Sequence, residues 1–147
     1  VEELVRFEVK LEQDKQLGIF AFIFNNLTED SVTNEKLNRI FCLSYHLPEP
    51  DYQACPVLFD SRAFFRKRSL VRFKCLIQEL FQLIDYAKHN LDGYSNILII
   101  RIELDTSCIN SNKILYQDEH QVLLHKDIFD KNYEYKTKEL VYCVYSV

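Results

Sequence analysis

Residues 62–90 read RAFFRKRSLVRFKCLIQELFQLIDYAKHN, and they hold both the longest helical pattern of the chain and its only dense block of charge. At about 100° per residue, Phe73, Leu76, Ile77, Leu80, Leu83, Ile84 and Ala87 share an arc roughly 120° wide, with Lys74, Gln78, Glu79, Gln82, Asp85 and His89 on the other side. Such a helix packs its apolar face on another layer. Carried back to Arg62 without a break, it would set Arg62 and Arg66 inside the apolar arc, where an unpaired charge is costly. The spacing therefore predicts a break at Ser69, whose hydroxyl can accept from the free N–H groups of a first turn, with Asp60 or Ser61 capping a short turn upstream. At the far end Lys88 and His89 complement the helix dipole, and Leu91-Asp92-Gly93 supplies a turn with glycine available for positive φ. The principal helix is thus expected over about 69–90.

On the N-terminal side, Val5, Phe7, Val9 and Leu11 alternate with Arg6, Glu8, Lys10 and Glu12, the pattern of a half-buried strand with a charged outer face, expected at a sheet edge. Residues 17–24 (LGIFAFIF) are apolar on both faces and read as a central strand joined to the first by a hairpin. After a polar loop over 25–34, residues 37–47 (LNRIFCLSYHL) alternate as a third strand, with Cys42 and His46 on one face. Pro48, Pro50 and Pro56 bracket an irregular crossing.

On the C-terminal side, 96–104 (NILIIRIEL) reads as a second central strand. Residues 113–116 and 121–125 form a hairpin around Gln117-Asp118-Glu119-His120, 127–138 is polar with interspersed aromatics, and 140–147 closes the chain as a strand. This order of elements specifies an α+β fold: an antiparallel or mixed sheet of about five to seven strands with one principal helix packed on a face.

A chain of 147 residues that is 48% apolar makes one domain, 1–147, able to bury a core without staples. It begins at Val1 and contains no methionine, as expected of a domain excised from a longer protein. Two glycines leave little room for glycine-rich phosphate loops, and no apolar run approaches the roughly 18 residues of a membrane span. Five cysteines (Cys42, Cys55, Cys75, Cys108 and Cys143) without regular spacing read as reduced thiols, Cys75 and Cys143 among apolar neighbours, in an intracellular protein of nucleus or cytoplasm. Asn26-Leu27-Thr28 is an N-glycosylation triplet that points the other way.

No catalytic, metal or nucleotide motif rises above chance, so no catalytic residue, metal or cofactor is assigned. Cys42, Cys55 and Cys108 can be paired on paper with His46, His120 or His125, but pairings of this kind can be drawn in any chain with this composition. On an extended strand Cys42 and His46 lie roughly 13 Å apart, too far for one ion. Glu103 and Asp105 share a strand face with spacing suited to a divalent ion, a pattern that the solvated end of a strand also produces.

The charge pattern is more specific. Between residues 61 and 74 stand Arg62, Arg66, Lys67, Arg68, Arg72 and Lys74 with no acid, so that window is +6 and the rest of the chain −10. Acids such as Asp51, Asp60 or Asp127 can fold over the cluster, or the cluster can face an acidic partner or a phosphate backbone. Phe129, Tyr133 and Tyr135 lie in a segment too polar for a core and are candidate contact aromatics. Arg66-Lys67-Arg68-Ser69 makes Ser69 a candidate phosphosite at the helix start. The function expected is a non-catalytic protein–protein interaction domain of a larger intracellular protein, binding an acidic segment or another subunit through its basic surface and no membrane. The alternatives are a module for RNA or single-stranded DNA, then an enzyme with an unrecognised carboxylate or Cys/His site.

Overall fold

The computed structural model describes residues 2–12, 15–27, 31–44, 61–129 and 135–140. The first strand, β1 (Glu3–Lys10), is the spine of the sheet, because it pairs along all eight residues with β4 (Leu98–Asp105). Its Val5, Phe7 and Val9 enter the core under the helices, while Leu4 joins a second apolar cluster on the opposite face. With β4 on one edge and β2 (Gln16–Gly18) and β3 (Ser61–Arg66) on the other, the edge position expected for β1 is corrected to a central one.

The free edge of β1 is shared by two strands. β2 (Gln16–Gly18) returns in a hairpin and pairs with residues 8–10, and β3 (Ser61–Arg66) pairs only at Leu4–Arg66 and Val5–Phe65. Between them, at Arg6 and Phe7, the ladder is open. Beyond β3 lie β6 (Gln121–His125) and β5 (Ile114–Gln117), and beyond β4 lies β7 (Tyr135–Leu140). All pairings are antiparallel, in the order β5-β6-β3-β1-β4-β7 with β2 beside β1. The α+β class and the strand number agree with the sequence reading, as do β4 as a central strand and the β5–β6 hairpin.

Two expected strands are helices. Residues 17–24, read as a central strand, leave the sheet after Gly18 and form α1 (Ile19–Asn26). A short run that is apolar throughout fits either element. Here Ile19, Phe22 and Ile23, at helical spacing, fill the core while Ala21 and Asn25 face solvent. Residues 37–47, read as a third strand, belong as far as Ser44 to α2 (Ser31–Ser44). Its buried stripe is Thr33, Leu37 and Ile40, at intervals of four and three residues, and the first of these falls before the alternating window 37–47.

The principal helix, α3 (Lys74–Asn90), starts five residues later than expected. All seven residues of the apolar arc are buried, and so is Phe81, whose ring meets Phe7 edge-on at 5.2 Å. The helix packs across the sheet and against α2, where Arg39 pairs with Glu79 at 2.6 Å. Gly93, at φ 90°, reverses the chain after the helix as the sequence implied. Residues 61–66, expected as a capped turn, are β3, and Phe64 and Phe65 enter the cores on opposite faces of the sheet. The proline-bracketed crossing and the strand expected over 140–147 lie outside the described residues except for Leu140, the last residue of β7. Among the described residues no helix is long and apolar enough to cross a membrane.

Candidate functional site

The basic stretch divides into a half that is consumed by the fold and a half that projects from it. Arg66 ends β3 and reaches the β5–β6 turn: Nε donates to the Asp118 carbonyl (2.9 Å), Nη2 to Gln117 Oε1 (3.0 Å) and Nη1 to Glu2 Oε2 (2.5 Å). Each of its three nitrogens is engaged. Arg62 donates to the neighbouring Ser61 carbonyl, and Lys67 pairs with Glu3 at 2.5 Å, a hydrogen bond that raises the lysine pKa. Arg68 stands 3.8 Å from Glu2. The acids that fold over the cluster are therefore Glu2 and Glu3. Of those expected to do so, Asp127 binds Lys113 instead, while Asp51 and Asp60 lie outside the described residues.

After β3 the chain makes a 3₁₀ turn over Lys67–Ser69 and reaches α3 by a tight loop in which the Ser69 carbonyl accepts from the N–H groups of Arg72 and Phe73. Three residues anchor this turn. Leu70 and Phe73 are buried in the core, and Ser69, only 5% exposed, meets His120 Nδ1 through its hydroxyl at 3.0 Å. Phe73 packs edge-on against the same imidazole at 5.1 Å. Around and between the anchors, Lys67, Arg68, Val71, Arg72, Lys74 and Cys75 project into solvent. Val71 is 72% exposed, the more exposed of the two large apolar side chains that stand out among the described residues. Among those residues neither Arg72 nor Lys74 has an ion pair.

This arrangement corrects two expectations. Ser69 does not cap α3: the capping position is Phe73, and the serine hydroxyl is spent on His120 inside the protein. A kinase would have to open the turn to reach it. Cys75 is an exposed free thiol rather than a core residue, because it lies on the face of the first turn of α3 opposite the buried Phe73, Leu76 and Ile77. The side chains of Cys42, Cys108, Phe129 and Tyr135 and all of Cys55, Cys143 and Tyr133 lie outside what is described, as does His46, so Cys42 is known only to sit on α2 rather than on a strand.

Glu103 is paired with Arg101 at 2.9 Å, and Asp105 accepts from the Ser107 N–H, so the two carboxylates have separate tasks. No group of three or more His, Cys, Asp or Glu suited to a metal exists among the described residues. Ser69, His120 and Glu119 superficially form a hydroxyl–imidazole–carboxylate series, yet Glu119 is 3.8 Å from the ring and 78% exposed. That carboxylate cannot orient the imidazole, and the hydroxyl is not presented to a substrate.

A cavity of about 310 Å³ occupies the open part of the sheet between β2 and β3. Phe7, Ile19, Phe20, Phe64 and Phe65 supply its apolar walls, and Arg6 its polar end. The outer face expected to expose Arg6 and Glu8 is instead enclosed: their side chains are 14% and 11% exposed. Arg6 Nε donates to Glu8 Oε2 (2.7 Å) and Nη1 to the Ala63 carbonyl (3.0 Å), while Gln16 holds the other Glu8 oxygen (2.8 Å). Burial pushes the Arg6 guanidinium below the usual arginine range, Glu8 opposes that, and the charge of Arg62 adds to it. Gly18 completes the site. A Cβ there would lie 2.5 Å from Arg6 Nη2, although its φ of −57° and ψ of 142° suit any residue. Glycine is needed for space and not for backbone freedom. A glycine inside an apolar run was the one visible sign of this close approach.

The chain matches no protein-family model, and neither curated proteins nor solved structures yield a match.

Proposed function

We infer that the domain is a protein-interaction module whose contact surface is the turn at 67–75, and that its partner is an acidic segment carrying an apolar side chain. The observation that supports this is Val71, exposed at the tip of a firmly anchored turn and flanked by Arg68, Arg72 and Lys74. Val71 offers an apolar contact that a partner can bury, and cations around such a contact select an acidic surface. A rigid turn also binds with little ordering cost, since Ser69, Leu70 and Phe73 already fix its shape. A phosphate backbone would use the cations and leave Val71 without a role.

Selection of a random-peptide display library against the domain tests this. Enriched peptides should be acidic with an apolar residue, and Val71→Ser should weaken them about tenfold, the value of one buried side chain of this size. Arg72→Glu should weaken them further. Enrichment of neutral or basic peptides, or binding indifferent to both substitutions, overturns the reading. Tight binding of random single-stranded RNA, steeply dependent on salt and indifferent to Val71→Ser, would instead establish the nucleic-acid alternative.

A further inference from the structure

The geometry points to a second, independent site: the cavity at the fork of the sheet binds a small apolar monocarboxylate, with the carboxylate on the Arg6 guanidinium and the hydrocarbon part among Phe7, Phe20, Phe64 and Phe65.

The cavity has the character of a ligand site rather than of a packing fault. At about 310 Å³ it is at the small end of the range for ligand pockets, room for a ligand of ten or so heavy atoms. It is walled largely by apolar and aromatic side chains, with Arg6 and Gln121 as its polar ones, which is the usual composition of small-molecule sites. A gap between two strands on one edge would close if β3 continued its pairing past Phe65. Instead the Ala63 carbonyl, released from the ladder, is taken by Arg6.

Arg6 is the reason for assigning a carboxylate. Its guanidinium carries five N–H bonds, of which Glu8 and Ala63 engage Nε and one on Nη1. Among the described residues Nη2 has no hydrogen-bond partner and faces Gly18, where the missing Cβ leaves it room. An Nη1–Nη2 edge left open in this way matches the two oxygens of a carboxylate. Charge agrees with this. Glu8 balances one cation, and Arg62 acts on Arg6 as a second, so the polar end of the cavity is positive as judged from the described residues. A purely apolar guest would leave Nη2 without an acceptor, and a cation would be repelled.

Amide NMR titration of the whole domain with octanoate, phenylacetate and their amides tests the assignment. At least one acid should give saturable shifts centred on Arg6, Gly18, Ala63 and Phe64, and its amide should bind about tenfold more weakly or worse, since hydrogen bonds to a charged group exceed neutral ones by that much. Ala63→Leu places an isobutyl group at an exposed position of the cavity wall and should abolish the shifts in a protein whose spectrum is otherwise native. Arg6→Met should make acid and amide equivalent. The proposal is overturned if no acid saturates by about 5 mM, above the weakest affinity worth calling a site, if acid and amide bind alike to the native domain, or if Ala63→Leu leaves binding intact.

Discussion

Replacing Gly18 by alanine tests the sheet fork through a change of sign. At a φ of −57° and ψ of 142° an alanine is unstrained, and such a substitution ordinarily stabilises by about 0.4–1 kcal/mol because the unfolded chain loses freedom. Here the new methyl would lie 2.5 Å from Arg6 Nη2 and 3.2 Å from Cζ, so the guanidinium must move. It is held from two sides, by Glu8 at 2.7 Å and by the Ala63 carbonyl at 3.0 Å, and any shift that relieves the contact lengthens at least one of these. Hydrogen bonds of charged groups contribute about 1.5–3 kcal/mol, and Glu8, 8% exposed, cannot turn to water instead. The net expectation is a loss of about 1–2 kcal/mol, or a fall in Tm of about 2–8 °C for a chain of this size. Urea melts of the native protein, Gly18→Ala, Arg6→Met and the double variant measure it. In the Arg6→Met background the alanine should become stabilising by about 0.4–1 kcal/mol, giving a coupling of about 1–3 kcal/mol. If Gly18→Ala stabilises the native protein, or if the two substitutions are additive, the close approach of Arg6 is not what requires the glycine.

Four further outcomes follow from the same structure. Leu80→Ala, at a position with no exposure in the middle of α3, should cost about 2–5 kcal/mol in denaturant melts, and Gln82→Ala on the exposed side less than about 0.5 kcal/mol. Ser69→Ala should cost about 1–3 kcal/mol by leaving His120 Nδ1 without its partner, and Ser69→Asp should cost more by burying a carboxylate, whereas a capping serine would accept the aspartate. Asp118 organises the β5–β6 turn by accepting from the N–H groups of His120 and Gln121; burial opposes ionisation, but these bonds prevail and lower its pKa. A carboxyl with a depressed folded pKa adds stability above its unfolded pKa of about 3.9 and loses it as pH falls through the lower folded value, so the deficit of Asp118→Ala should be full at neutral pH and shrink in acid. Cys75, exposed and free, should react with a thiol reagent in the native protein, and Cys75→Ser should remove that reaction.

The α3 face was legible because its apolar residues hold one period for fifteen positions, and a period that long has a single interpretation. β4 and the β5–β6 hairpin were legible for a related reason, the alternation of β4 and the polar turn at Gln117–His120 leaving few choices. α1 was not, since eight residues that are nearly all apolar carry no period, and their isoleucines and phenylalanines favour strands. In α2 the stripe of Thr33, Leu37 and Ile40 was present but began in a stretch that looks like a polar loop. The basic block was visible as a composition, but which cations would be spent on Glu2, Glu3 and the β5–β6 turn depends on strand order, which no local pattern encodes. For the same reason Arg6, read as a surface charge from alternation alone, could be recognised as a buried group only once two strands were seen to share one edge of β1.

Backbone and α-proton NOEs through residues 3–24 and 61–66 test that shared edge most directly, because both the cavity and the placement of Arg6 depend on it. The account predicts sequential amide contacts of a helix through Ile19–Asn26, cross-strand contacts at Val9–Leu17 and Val5–Phe65, and none linking Arg6 to Phe64 or Phe7 to Ala63. Extended-chain contacts through 19–26, or a ladder that continues across Arg6 and Phe7, would contradict it.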